Sequence, residues 1–194
     1  MTSRTETKIT SFFNRVISRL KGTLTTEGTD RAMIQQTLDD LIRAKPVGSN
    51  VPRLHGSPKV HKVDETTVIP PLRPILSMEN SPQHGPARYL CKLLEPIRRH
   101  VKEYSVQDTF DFVNKVKDLN LSDKQMILLD VKSLFTSVPV KKSIKILCTL
   151  VDEIMPNLPI KISELKELLY LCTVNVQFLF QNVFYTQEMG TWNG

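Results

Sequence analysis

Apolar residues fall at helical spacing from the start of the chain. Ile9, Phe12, Phe13, Val16, Ile17 and Leu20 line one face of a first helix that Gly22 can stop. After a polar stretch, Asp30 can cap a second helix with Met33, Ile34, Thr37, Leu38, Leu41 and Ile42 as its stripe, ended by Pro46. Between Pro52 and Pro74 five prolines (Pro52, Pro58, Pro70, Pro71, Pro74) forbid helix and predict an irregular β-hairpin with a polar turn near Asp64 and Glu65. Beyond Ser81 and Pro82 a helix is predicted to about Tyr104, with Tyr89, Leu90, Leu93, Leu94, Ile97 and Val101 on one side and a kink at Pro96. Asp108 can cap a shorter helix carrying Phe112, Val113, Val116 and Leu119.

The next run, Met126 to Leu129, is wholly apolar and predicts a buried strand stopping at Asp130. A loop through Pro139 leads to a helix with Ile144, Leu147, Cys148, Val151 and Ile154, ended before Pro156. Another helix starts near Ser163 with Leu165, Leu168, Leu169 and Cys172. The alternating segment Gln177 to Thr186 then predicts a hairpin turning at Gln181-Asn182. The pattern as a whole predicts an α+β fold.

Composition narrows the class. In 194 residues, 40% hydrophobic and 24% charged with only 7 Gly and 12 Pro, the chain is globular, and it excludes collagen-like, low-complexity and largely disordered readings. No apolar run approaches the roughly 20 residues of a membrane span. The net charge of +6 biases the protein mildly toward polyanions. Cys91, Cys148 and Cys172 are odd in number, far apart and set in apolar helical patterns, which predicts buried free thiols in a reducing, intracellular setting. The segment Met1 to Lys21 is basic and rich in Ser and Thr, a composition shared by mitochondrial transit peptides and by ordinary surface helices with a basic outer face.

Asp130 is the most informative single residue. A carboxylate ending a buried strand loses hydration unless something compensates, and either a divalent cation or a cap on the following turn would do so. His55, His61, His84 and His100 share no ligand spacing. Asp39-Asp40 lies amid a helical pattern and reads as solvated helix surface.

The run Asp130-Val131-Lys132-Ser133-Leu134-Phe135-Thr136-Ser137-Val138-Pro139 resembles motif A of reverse transcriptases, in the form found in Penelope-like elements. Upstream, Leu54-His55-Gly56-Ser57-Pro58-Lys59-Val60-His61-Lys62 and Leu72-Arg73-Pro74-Ile75-Leu76-Ser77 look like that family's fingers motifs, in the family's order. The resemblance covers about Pro52 to the end, through Phe110-Asp111-Phe112-Val113, Phe178 to Tyr185 and Gln187 to Gly190. Motif B begins at Gly190-Thr191, departs from the family at Trp192-Asn193-Gly194 and goes no further, and motif C, Tyr-x-Asp-Asp, is absent from these 194 residues.

The resemblance implies a partial right-hand polymerase, with residues 1–50 as a helical segment and 51–194 as fingers and the first part of a palm. It implies an RNA-directed DNA polymerase working on an RNA template, a DNA primer and dNTPs in nucleus or cytoplasm. By resemblance Asp130 and the carbonyl of Val131 would bind catalytic Mg2+, and Phe135 would be the steric gate against a 2′-hydroxyl. Lys59 and Arg73 would grip the incoming triphosphate, while Arg53, Lys62, Arg98 and Arg99 would touch nucleic acid. Read without the family, Phe135 is equally a core aromatic, and Lys59 and Arg73 are exposed charges on a proline-rich hairpin. Two-metal chemistry needs several convergent carboxylates, so this chain is expected to be inactive alone. The alternatives are a non-catalytic nucleic-acid-binding remnant and a decayed gene product without function.

Overall fold

A computed structural model of the chain describes residues 4–24, 30–60, 70–120, 122–131, 134–188 and 190–191, with the backbone alone at residue 103. The fold is mixed α+β, and among the described residues no helix is long and apolar enough to cross a membrane. The first helix, α1 (Arg4–Thr23), buries every residue of the stripe read from its sequence: Ile9, Phe12, Phe13, Val16, Ile17 and Leu20. In α2 (Arg31–Ala44) the Asp30 carboxylate accepts from the Met33 N–H at 3.1 Å, the expected N-cap. Ile34, Leu38 and Leu41 turn inward, while Met33 and Ile42 stay exposed at the edges of the stripe.

The long helix beyond Pro82 is broken as expected. It runs as α3 (His84–Leu93), pauses at Leu94, and resumes as α4 (Glu95–Val101) with Pro96 in its first turn, where a missing N–H costs nothing. A single 3-10 turn, Lys102–Tyr104, finishes it. The helices α5 (Thr109–Val116), α6 (Leu134–Ser137), α7 (Val140–Ile154) and α8 (Ile162–Thr173) follow.

One hydrophobic core joins α1, α2, α3, α4, α7 and α8; α8 packs against α1, α3 and α7. Charge reinforces the seam between α1 and α8. Arg19 donates to both carboxylate oxygens of Glu164 at 2.7 and 2.6 Å and to the Pro159 carbonyl at 3.0 Å. The same carboxylate accepts the Lys161 N–H at 3.0 Å, so Glu164 also caps α8.

The strands form one mixed sheet in the order β2-β1-β3-β4. β1 (Arg53–Pro58) and β2 (Leu72–Ser77) make the antiparallel hairpin expected from the prolines. The tip expected at Asp64 and Glu65 lies outside the described residues. β3 (Gln177–Phe180) runs parallel to β1 through Arg53↔Leu179 and pairs antiparallel with β4 (Val183–Thr186). Gln181 and Asn182 both adopt positive φ, the conformation a tight hairpin turn demands. A second, small core of Leu76, Val176 and Phe178 lies beneath this sheet.

Two sequence expectations are corrected. Met126 to Leu129 forms no strand and is not buried: Ile127 is 74% and Leu128 96% exposed. Apolar character alone does not make a strand, because the backbone groups need a neighbouring ladder, and none of the four strands pairs with this run. Cys91 is exposed, while Cys148 is buried and Cys172 half-buried; all three are free thiols. Burial pushes the Cys172 thiol up to about 12, so it stays protonated at neutral pH.

Two substitutions test this arrangement. Glu164→Ala leaves Arg19 half-buried without its carboxylate and removes the α8 cap, and is expected to cost about 2–4 kcal/mol in urea unfolding. Leu128→Ala is expected to change stability by less than about 0.5 kcal/mol, whereas Leu165→Ala, in the fully buried core, costs about 2–5 kcal/mol.

Candidate functional site

Alternation along the first hairpin sorts its residues by face. Leu54 and Leu76 are cross-strand partners and pack inward, Leu76 completely buried. Arg53, His55 and Ser57 take the opposite face, with Ser57 opposite Arg73. The Lys59 N–H donates to the Pro71 carbonyl at 2.8 Å, which extends the ladder one step past Pro58 and sets Lys59 beside Arg73 at the same end of the hairpin. Arg53, His55 and Arg73 are exposed. The hairpin therefore presents a basic outer face and an apolar inner one. Lys62 lies outside the described residues.

Arg98 and Arg99 stand on α4, with 81% and 77% of their side chains exposed. Both reach the Glu95 carboxylate at 3.4 Å, so two guanidinium groups share one counter-charge on the helix surface. Such exposed pairs are weak and leave both arginines free to exchange partners.

Asp130 follows the unpaired apolar run and is exposed, as is Val131. Its carboxylate makes no hydrogen bond among the described residues, so it caps no described turn. Nor does burial force a cation on it, since the expected desolvation is absent. Among the described residues no group of three or more His, Cys, Asp or Glu side chains converges as a metal site would require. Asp130 and the Val131 carbonyl suit one edge of a Mg2+ site by chemistry, as hard oxygen donors, but they do not amount to a complete one.

Phe135, on the short helix α6, is 43% exposed and not a core aromatic. Its backbone takes part in a contact that spacing did not predict. The Thr191 N–H donates to the Phe135 carbonyl at 2.6 Å, and Gly190 adopts φ +74° against the same turn. A Cβ on Gly190 would overlap the Phe135 carbonyl oxygen and approach Thr136 Cα to 2.6 Å. The short helix α6 is thus tied to Gly190 and Thr191. The glycine was visible in the sequence; the left-handed backbone and the close approach that require it were not.

Asp40, read from sequence as helix surface, is half-buried and ion-paired to Lys92 of α3 at 3.0 Å. Burial pushes its carboxyl up, but hydrogen bonds from Lys92 and Gln36 outweigh that and hold it below the ordinary value. Asp39 instead accepts from Gln35 one turn earlier on the same helix.

Comparison of the chain with protein-family models, curated protein sequences and solved structures finds no match.

Gly190→Ala is expected to lower stability by about 1–3 kcal/mol, because it adds both a strained φ and an overlap with the Phe135–Thr136 backbone. Hydrogen exchange should show the loss of protection concentrated at Thr191, with the α1–α8 core amides little changed.

Proposed function

We propose that the chain is the fingers and first part of the palm of an RNA-directed DNA polymerase resembling those of Penelope-like retroelements. In this reading the outer face of the β1–β2 hairpin meets polyanions, with Lys59 and Arg73 toward the incoming triphosphate and Arg53 toward nucleic acid. Lys and Arg suit these tasks differently: a mobile point charge for one phosphate, a planar fork for paired oxygens. Arg98 and Arg99 add a second basic patch, and Asp130 with the Val131 carbonyl contributes one edge of the Mg2+ site. Phe135 is the gate. The observation that carries the reading is that the two fingers-like motifs pair as one hairpin with Lys59 and Arg73 at the same end.

These 194 residues supply Asp130 and no Tyr-x-Asp-Asp. The chain alone is therefore proposed to bind primed template without extending it. A reading as a non-catalytic nucleic-acid-binding protein is favoured by one specific observation: among the described residues Asp130 belongs to no group of three or more potential metal ligands.

The two readings share a binding test and part on a second. Binding of a DNA-primed RNA template should weaken steeply with salt, and Lys59→Ala with Arg73→Ala should lower the slope of log K against log [salt] by about two phosphate contacts. Absent binding, or a slope that the double variant leaves unchanged, would overturn both. When the missing Tyr-x-Asp-Asp segment is supplied by a family polymerase's palm fused after Gly194, primer extension that depends on Asp130 supports the polymerase reading. Failure of a folded fusion to extend the primer leaves the binding protein as the better account.

A further inference from the structure

The carboxyl end of α2 and one face of α3 border an open cleft of about 470 Å3. Its charged lining is unbalanced. Arg43, Arg88 and Lys92 contribute positive charge, against the single carboxylate of Asp40, which Lys92 already engages at 3.0 Å. Arg43 and Arg88 make no hydrogen bond or ion pair among the described residues. Two further lining residues, Ser81 and Tyr89, are only 2% and 7% exposed, and the hydroxyl of each lacks a hydrogen-bond partner. Buried hydroxyls are nearly always partnered, so two unpartnered ones on residues that line the same cleft leave hydrogen-bonding capacity there for a polar ligand.

The two helix ends at the cleft oppose each other. The first turn of α3, at His84 and Gly85, brings the positive end of one dipole, and the last turn of α2, at Arg43 and Ala44, the negative end of another, so the net positive field there comes from the side chains. Burial pushes the Tyr89 phenol well above its ordinary value, so it stays protonated and can donate. Excess cationic charge and two hydroxyl donors suit a group with several strongly basic oxygens. A carboxylate offers two such oxygens; a phosphate offers more and carries the larger charge.

We infer that this cleft is a binding site for a phosphate group, held by Arg43 and Arg88 with the Ser81 and Tyr89 hydroxyls. The site does not depend on the polymerase reading: Asp130, Lys59 and Arg73 line no part of it. One phosphate does not fill the volume, so a phosphate monoester with a small organic group is the ligand class, with inorganic phosphate as its minimal member.

The test is calorimetric titration of the full chain with inorganic phosphate, a nucleoside monophosphate and the matching nucleoside. Phosphate and monophosphate are expected to bind saturably, in about the millimolar range or tighter, and the nucleoside not at all. A monophosphate that binds more tightly than phosphate identifies an organic phosphate as the ligand; equal affinities identify the free anion. Arg88→Ala should weaken binding about tenfold or more, and Tyr89→Phe about threefold. Tyr89→Phe should leave the melting temperature of the free protein unchanged or raised, because it deletes a hydroxyl that has no partner there. Ser81→Ala provides the same comparison should Tyr89→Phe perturb folding. Absence of saturable phosphate binding would overturn the inference, as would binding indifferent to both Arg88→Ala and the hydroxyl deletions.

Discussion

The fold depends on the apolar face of α1 being covered. Six of its side chains are buried, Phe12 and Phe13 among them, and α2 and α8 do the covering. Arg19 and Glu164 fix how α1 lies on α8, because a two-pronged guanidinium–carboxylate contact tolerates little sliding or rotation. Once α8 is placed, α3 and α7 have a surface to pack on, and β3 follows the end of α8 within a few residues. The sheet is thus an appendage of the helical core. Its own apolar centre is small, resting on Leu76, Val176 and Phe178.

How much of this was legible in the sequence differs by element. Helices announced themselves because period, cap and stop agree: the α1 stripe, the Asp30 and Asp108 caps and the Pro96 break all appear where local chemistry requires them. The two hairpins were equally plain, one from its prolines and one from Gln181-Asn182. The run Met126 to Leu129 misled because strand formation is a property of a pair, and composition says nothing about whether a partner is present. α5 makes the same point for helices. It has the expected cap and an amphipathic sequence, yet buries none of its residues, and Phe110 is 81% exposed.

The functional surfaces divide in the same way. Residues paired across one hairpin fall on a common face by alternation, and Lys59, Arg73 and Arg53 do so, with Arg53 at the far end of the hairpin from the other two. Contacts between distant segments could not. The tie between Phe135 and Thr191, the Arg19–Glu164 pair and the Asp40–Lys92 pair each join residues more than fifty positions apart or on separate helices, and no periodicity encodes them.

The exposed run from Met126 to Leu129 has one consequence for handling the protein. Its ends carry Lys124 and Asp130, and charges so placed act as gatekeepers against stacking of like segments from different molecules. Neutralising Asp130 to probe chemistry would also remove one gatekeeper. Turbid or poorly recovered preparations of such a variant would then report colloidal behaviour, and light scattering across a concentration series separates that from any loss of catalysis.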